Sequence, residues 1–148
     1  IVTIDADLQN NPADLPKLIN IYFSDSDLKL IGGIRVNRKD NFIKKISSRL
    51  ANNIRKFILN DGCNDTGCSL KVFDKRIFLG FPFFNGIHRF LPALYKGYGY
   101  KTKFLEVSHR RRIYGISNYG TFKRLVFGVF DIYRVNQIIK KNKLNYKK

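Results

Sequence analysis

Short apolar segments alternate with longer amphipathic segments along this 148-residue chain, and that alternation constrains the fold more than any other feature. The short segments are rich in β-branched or aromatic residues, which predicts β-strands at residues 1–4, 28–35, 68–73 and 101–109. The longer segments predict helices that begin near Asn11 or Asp14, cover residues 42–59, lie near 87–96 and extend over 122–141. Strands that alternate with helices in this way predict an α/β domain with a mainly parallel sheet.

The segment 42–59 has the clearest helical pattern. Apolar residues recur on one side at helical spacing, and basic residues lie largely on the other. The predicted buried stripe consists of Phe42, Ile43, Ile46, Leu50, Ile54, Phe57 and Ile58, and the predicted exposed side of Lys44, Lys45, Arg49, Arg55 and Lys56. At the other end of the chain, the polar residues 140–148 are predicted to form a frayed tail.

The charge of the chain is strongly unbalanced, with 28 Lys and Arg against 11 Asp and Glu and a net charge of +17. This excess favours an anionic partner, such as a nucleic acid, a membrane surface or a phosphorylated small molecule. An alternative source is AT-biased coding, because Lys, Asn and Ile are all abundant. The two cysteines, Cys63 and Cys68, are too few for a disulfide scaffold, and their spacing disfavours a zinc site with His88 and His109. We therefore predict partly buried thiols.

The chain has no Met and begins at Ile1, inside a predicted strand. It also contains no signal-peptide pattern and no apolar run long enough to span a bilayer, which takes about 18 residues or more. These features lead us to expect one domain that is part of a longer protein.

Two aspartates, Asp5 and Asp7, directly follow the first predicted strand. Ligands of open α/β sheets bind beyond the carboxyl ends of strands, and alternation along an extended segment would point both side chains the same way. Two carboxylates on one side favour a hard divalent cation such as Mg²⁺ or Mn²⁺ between them. The alternative is a helix cap or turn, in which Asp is also common.

Seven segments, in order along the chain, resemble the family 2 glycosyltransferases with a GT-A fold, and among these the dolichol-phosphate and polyprenyl-phosphate mannosyl- or glucosyltransferases. They are TIDADLQNNP, GGIRVNRKD, SSRLANNIRK, DTGCSLKVF, GIHRFLPAL, EVSHRRR and GISNYG. The resemblance implies a Rossmann-like three-layer α/β sandwich that lacks its N-terminal nucleotide-binding half, with residues 1–120 as the C-terminal part of the catalytic domain. It also implies an inverting hexosyltransferase that moves mannose or glucose from a nucleotide sugar of the GDP-mannose or UDP-glucose type to a polyprenyl or dolichyl phosphate.

The resemblance also assigns roles to the acidic residues. Asp5 and Asp7, assisted by Gln9, would bind Mg²⁺ or Mn²⁺ on the donor diphosphate, where a departing nucleoside diphosphate needs its charge neutralised. Asp65 would lie near the sugar and the acceptor as the catalytic base or as a ligand of a hydroxyl. A turn in the sequence NDTG is the alternative for Asp65.

Basic residues are assigned to the phosphates of the two substrates. Arg35, Lys44 and Ser48 match the positions that hold the acceptor phosphate in the family, with Arg38 in reserve. Lys44 is equally compatible with a solvated helix face. Arg112 and Ser117, with Gly115, match the loop that closes over the donor diphosphate, although Asn118 replaces the usual Lys and leaves Arg110 or Arg111 to compensate. His88 and Arg89 could face the sugar, but a packed histidine is the favoured interpretation of His88.

The last segment, 121–148, predicts a basic amphipathic helix and tail. It could lie on an anionic membrane, which would make the protein peripheral at the cytoplasmic face, or it could pack on the core. The rival from another class is a basic nucleic-acid-binding module, which leaves Asp5 and Asp7 unexplained and lacks a recognisable motif. The rival among transferases is a polysaccharide synthase. Such enzymes share a Gln-x-x-Arg-Trp motif, and this chain has no Trp, which disfavours that interpretation.

Overall fold

A computed structural model describes the backbone of residues 1–36, 42–110 and 121–145, and the side chains of residues 1–36, 51–110 and 128–144. The strands are β1 (Val2–Thr3), β2 (Leu28–Arg35), β3 (Lys71–Phe73) and β4 (Lys101–Val107). The helices are α1 (Leu15–Ser24), α2 (Phe42–Leu59), α3 (Lys75–Leu79), α4 (Leu91–Gly97) and α5 (Thr121–Asn145), and single 3₁₀ turns cover Pro12–Asp14 and Ile87–Arg89. Every predicted strand and helix is present, and α3 was not predicted.

The four strands form one sheet in the order β1-β3-β2-β4. Strand β3 pairs antiparallel with both β1 and β2, and among the described strands only β2 and β4 run parallel. The prediction of a mainly parallel sheet is therefore wrong, and the sheet is mixed. A short apolar run has the same sequence pattern whether the strand runs parallel or antiparallel to its neighbours. The direction of β3 therefore depends on the position at which the preceding buried loop ends.

Helices cover both faces of the sheet. Adjacent strand residues point to opposite faces, so Leu30 and Phe73 join one buried cluster while Ile31 and Val72 join another. The first cluster is completed by α4 and α5 with Leu94, Tyr95, Val135 and Ile139, and the second by α1 with Leu18. The result is a three-layer mixed α/β arrangement.

The C-terminal half of α5 packs closely on α4. A Cβ placed on Gly97 would lie 2.6 Å from Ile139 Cδ1, so glycine is needed where the two helices meet. Helix α5 continues to Asn145, which makes the prediction of a frayed tail wrong for residues 140–145. Burial of Val135 and Ile139 gives this helix a fixed place in the core, while Val129 and Phe130 are exposed.

Helix α2 has the predicted bounds but not the predicted orientation in its last turns. Phe57 is 89% exposed, and Ile54 and Ile58 are exposed as well, whereas Arg55 is only 4% exposed. The assignment of Arg55 to the solvated side was therefore wrong. The loop that follows α2 folds back over Arg55 and supplies it with buried polar partners, a tertiary contact that helical periodicity does not contain.

Candidate active site

The chain turns immediately after β1. Leu8 has a φ of 61°, in the left-handed region, and the backbone N–H of Gln9 donates to Asp7 Oδ1 at 3.2 Å. The extended conformation expected for residues 5–7 is therefore wrong, because Asp7 closes a turn with its own side chain. Asp5 remains exposed and Asp7 is partly exposed, so both belong to a surface turn at the end of the strand. We call residues 5–9 the aspartate turn.

Ser69 connects this turn to the segment before β3. Its hydroxyl oxygen accepts hydrogen bonds from the backbone N–H of Asp5 at 3.0 Å and from Asn10 Nδ2 at 2.7 Å. Its carbonyl accepts from Thr3 Oγ1 at 2.6 Å. Neither Ser69 nor Asn10 was predicted, because only the antiparallel pairing of β1 with β3 brings these segments together.

On the other side of the same segment, Asp65 forms an ion pair with Arg35, which ends β2. Arg35 Nε donates to Asp65 Oδ2 at 2.7 Å and Nη2 donates to Oδ1 at 2.8 Å, while the backbone N–H of Arg35 lies 3.2 Å from Oδ2. This fork geometry uses both carboxylate oxygens and is the strong form of an ion pair. Gly67 allows it, since a Cβ there would lie 3.0 Å from Arg35 Nη2.

Lys71 is a buried cation beneath this segment. It is 4% exposed and its ammonium group donates to the carbonyls of Cys68 and Thr66. Burial lowers the pKa of Lys71, and the nearby thiols and the carboxylates of Asp65 and Asp5 act in the opposite direction. The lysine thus lies within electrostatic reach of Asp5 and Asp65, two of the three predicted functional carboxylates. A charged residue inside an apolar strand was the signal in the sequence that could have identified it.

His88 lies within electrostatic reach of Asp5. Its side chain is exposed, so the packed-histidine interpretation is wrong. Partial loss of hydration and the neighbouring Arg89 and Lys71 lower the pKa of His88, and Asp5 opposes this. The two cysteines, in contrast, are free thiols as predicted, but they are almost completely rather than partly buried, and burial raises the pKa of Cys63 to about 11.

The loop assigned to the donor diphosphate starts beside the aspartate turn. The backbone N–H of Arg110 donates to the carbonyl of Gln9 at 2.9 Å, and Arg110 Nη2 donates to Asn11 Oδ1 at 3.0 Å. An isolated bridge joins Asn10 to His109. The predicted diphosphate residues Arg112 and Ser117, with Gly115 and Asn118, lie outside the described residues, as does Arg38. Lys44 and Ser48 lie on α2, but their side chains are outside the described residues.

The aspartate turn offers oxygen donors only. Among the side chains that the structure describes, those of residues 1–36, 51–110 and 128–144, no group of three or more His, Cys, Asp or Glu is arranged to hold a metal ion. Two carboxylates and the amide of Gln9 fit Mg²⁺ or Mn²⁺ only if water and substrate phosphates complete the coordination, which is how Mg²⁺ commonly binds beside phosphates. The residues thus suit a metal shared with a ligand.

No family model matches this chain, but several curated proteins are similar to it. It is 32% identical over 132 residues to the undecaprenyl-phosphate 4-deoxy-4-formamido-L-arabinose transferase of Sodalis glossinidius, which covers 89% of this chain and 40% of the relative. It is 37% identical over 123 residues to the dodecaprenyl-phosphate galacturonate synthase of Rhizobium johnstonii, covering 81% of this chain and 36% of the relative. The transferase of Serratia proteamaculans is 29% identical over 132 residues.

These relatives are polyprenyl-phosphate sugar transferases, and the chain spans about two fifths of the length of the first of them. The mixed sheet with helices on both faces is consistent with part of the Rossmann-like GT-A fold of a family 2 transferase. The expected fold class is thereby confirmed, with the strand directions corrected as described above.

Proposed function

We propose that this chain is part of a family 2 glycosyltransferase that transfers a sugar from a nucleotide sugar to a polyprenyl phosphate. One observation carries the proposal: the segment 65–69 links the Asp5–Asp7 turn, through Ser69, to the Arg35–Asp65 ion pair. Residues assigned to the donor thus lie next to residues assigned to the acceptor. The similarity to transferases named for polyprenyl phosphates supports the choice of acceptor.

The donor side is assigned to the turn and the loop beside it. Asp5, Asp7 and Gln9 would hold Mg²⁺ or Mn²⁺ together with the diphosphate, and the ion would supply charge neutralisation for the leaving group. Arg112 and Ser117 would contact the same diphosphate, and Arg110 anchors the start of their loop beside Gln9.

The acceptor side is assigned to Arg35, Lys44 and Ser48. An acceptor phosphate would compete with Asp65 for the N–H groups of Arg35, because both ligands use the same fork. Acceptor binding would then free the Asp65 carboxylate beside the reacting phosphate, where it acts as the base or as a ligand of a sugar hydroxyl. The phosphate is already ionised near neutral pH, so positioning matters more than proton removal.

The identity of the transferred sugar is a separate part of the proposal. Mannose or glucose from a GDP-mannose or UDP-glucose type of donor is the expectation from the resemblance, as in a dolichyl-phosphate mannosyltransferase. The two relatives are named for a formamido-arabinose and a galacturonate, which are different sugars. The element that these names share is the polyprenyl phosphate, which supports the proposed class of acceptor.

We also propose that the protein works at an anionic membrane surface, on the cytoplasmic face. In the part of the chain that the structure describes, no helix is both long and apolar enough to cross a bilayer. Helices α2 and α5 pack against each other, and each exposes large apolar side chains, among them Phe57, Val129 and Phe130. Apolar groups on a basic protein favour contact with an anionic lipid surface.

The test is a transfer assay with the protein expressed from its complete reading frame. It is incubated with Mn²⁺, polyprenyl phosphate in detergent and a panel of radiolabelled nucleotide sugars. A labelled lipid is expected with at least one sugar, and no product is expected when the unphosphorylated polyprenol replaces polyprenyl phosphate. The proposal fails if no lipid is labelled, if the polyprenol is an equally good acceptor, or if the label enters a polysaccharide instead.

A further inference from the structure

We propose that Arg55 is a positioning residue that ties helix α2 to the loop carrying Asp65, so that the helix assigned to the acceptor and the carboxylate assigned to the reaction keep a fixed relative position. This inference rests on the proposed function for its meaning, but its structural half stands on the contacts of Arg55 alone.

Arg55 lies near the end of α2 and is almost completely buried. Its Nε lies 2.8 Å from Asp61 Oδ2, and the Asp61 side chain is fully buried. Its two terminal nitrogens donate to Asn52 Oδ1 at 2.9 Å, to the hydroxyl of Thr66 and to the carbonyl of Cys63. One guanidinium therefore contacts its own helix and three separate points of the following loop.

The loop is folded around this group. Asp61, Cys63 and Asp65 are buried, while the residues between them, Gly62 and Asn64, are exposed. Asp61 Oδ1 also accepts from the backbone N–H of Cys63 at 2.9 Å, which holds the loop against the ion pair. The last contact of Arg55 is Thr66, the residue next to Asp65.

Stability alone is a weak reason for such an arrangement. Burying an ion pair costs desolvation, and apolar side chains of similar volume are often as stabilising or more so. A guanidinium with several fixed acceptors does give directional constraint, because its donors point in set directions. The position of Asp65 is thereby fixed by two contacts. Arg35 donates to its carboxylate, and Arg55 donates to the hydroxyl of the next residue, Thr66.

Reactive groups must be held within a fraction of an ångström, and a misplacement of 1 Å can cost about 10²-fold in rate. A conservative substitution at Thr66 can test the contact between Arg55 and the loop without leaving a buried charge unpaired. Thr66→Val removes the hydroxyl that Arg55 contacts but preserves the volume of the side chain and the Arg55–Asp61 pair. Thr66→Ser restores a hydroxyl. Lys56→Ala is the matched control, since Lys56 reaches the exposed side of the same loop by donating to Asn64 Oδ1 at 2.7 Å.

The first readout is independent of activity. Cys63 is 1% exposed in this loop, so its rate of alkylation reports how often the loop opens. We expect Thr66→Val to raise the alkylation rate of Cys63 about tenfold, with the rate in Thr66→Ser and Lys56→Ala near that of wild type. Wild-type alkylation in Thr66→Val overturns the proposal.

The second readout is transfer by the complete protein. We expect Thr66→Val to lower kcat about tenfold with little change in KM for the nucleotide sugar. Thr66→Ser should retain most of the wild-type kcat. An unchanged kcat in Thr66→Val, or an equal loss in Thr66→Ser, overturns the positioning role. If Thr66→Val raises the alkylation rate of Cys63 as expected but the wild-type protein labels no lipid, the proposed function is refuted and the structural role of Arg55 stands.

Discussion

At the scale of single residues, the Arg35–Asp65 pair is the most informative contact of the site. The two side chains are 17% and 6% exposed, so the pair is largely shielded from solvent. Separate roles were assigned to them from the sequence, Arg35 to the acceptor phosphate and Asp65 to the reaction. Their bidentate contact joins these roles, because whatever binds Arg35 changes the surroundings of Asp65.

We expect Asp65→Asn to lower kcat by about 10²-fold and at the same time to lower KM for polyprenyl phosphate. The amide cannot hold Arg35 as strongly as the carboxylate does, so the guanidinium becomes more available to phosphate. Loss of a charged hydrogen bond should also reduce the free energy of unfolding by about 1.5–3 kcal/mol, measured by urea denaturation. Arg35→Ala is the control and should raise the same KM. A rise in KM in Asp65→Asn would contradict competition between Asp65 and the phosphate.

The buried thiol of Cys63 gives a prediction for stability against pH. Burial raises its pKa to about 11, well above the ordinary value of a cysteine thiol, so between these two values the unfolded thiol has lost its proton while the folded one keeps it. The folded state then binds more protons, and stability falls as pH rises, with a limiting slope of about 1.4 kcal/mol per pH unit. Urea midpoints between pH 8.5 and 10 should show a steeper decline for wild type than for Cys63→Ala. Equal slopes would contradict this assignment.

At the scale of helices and strands, the close contact between α4 and α5 depends on the lack of a side chain at Gly97. Gly97→Ala would place a methyl group 2.6 Å from Ile139, and we expect a loss of about 1–3 kcal/mol in the free energy of unfolding. Gly128→Ala, in α5, meets nothing within 4 Å and should instead stabilise by about 0.5–1 kcal/mol through helix propensity. Thermal unfolding of both variants tests the packing; destabilisation by Gly128→Ala would show that residue 128 is not in an open helical position.

The apolar side chains exposed on α2 and α5 give a second prediction at this scale. Replacement of Phe57 or Phe130 by Ser should weaken binding to vesicles rich in anionic lipid by roughly tenfold, since each change removes a large apolar group from the proposed membrane contact. Phe23→Ser is the matched control, because the exposure of Phe23, 77%, lies between that of Phe57 and that of Phe130, but Phe23 is on α1. Cosedimentation with vesicles measures the effect. Equal losses in all three variants would mean that the membrane contact is not located on α2 and α5.

At the scale of the whole molecule, the net charge of +17 is compatible with several anionic partners, and two of them, a phosphate-bearing substrate and a nucleic acid, can be distinguished by experiment. The substrate explanation predicts that a nucleoside diphosphate with Mn²⁺ stabilises the complete protein, by about 2.7 kcal/mol at a hundred times its Kd. Asp5→Asn or Asp7→Asn should abolish this stabilisation and lower turnover by at least ~10²-fold, without loss of fold, because both residues lie on a surface turn. Asp27→Asn, another exposed carboxylate, is the control. Stabilisation by DNA in place of the diphosphate, lost with added salt, would favour the nucleic acid.

Local pattern in the sequence determined the α/β class, the bounds of β2 and α2 and the positions of Asp5, Asp7 and Asp65, because apolar periodicity and motifs depend only on near neighbours along the chain. The motif order also indicated the transferase class, to which similar relatives lend support. The tertiary structure alone decided the direction of β3, the burial of Arg55 and the pairing of Arg35 with Asp65. Each of these depends on segments distant in sequence: Arg35 and Asp65 are 30 residues apart, and Ser69 meets Asp5 across 64. The partner of a buried charge is set by the folded structure, because the desolvation cost of burial is offset by the opposite charge that the fold places next to it.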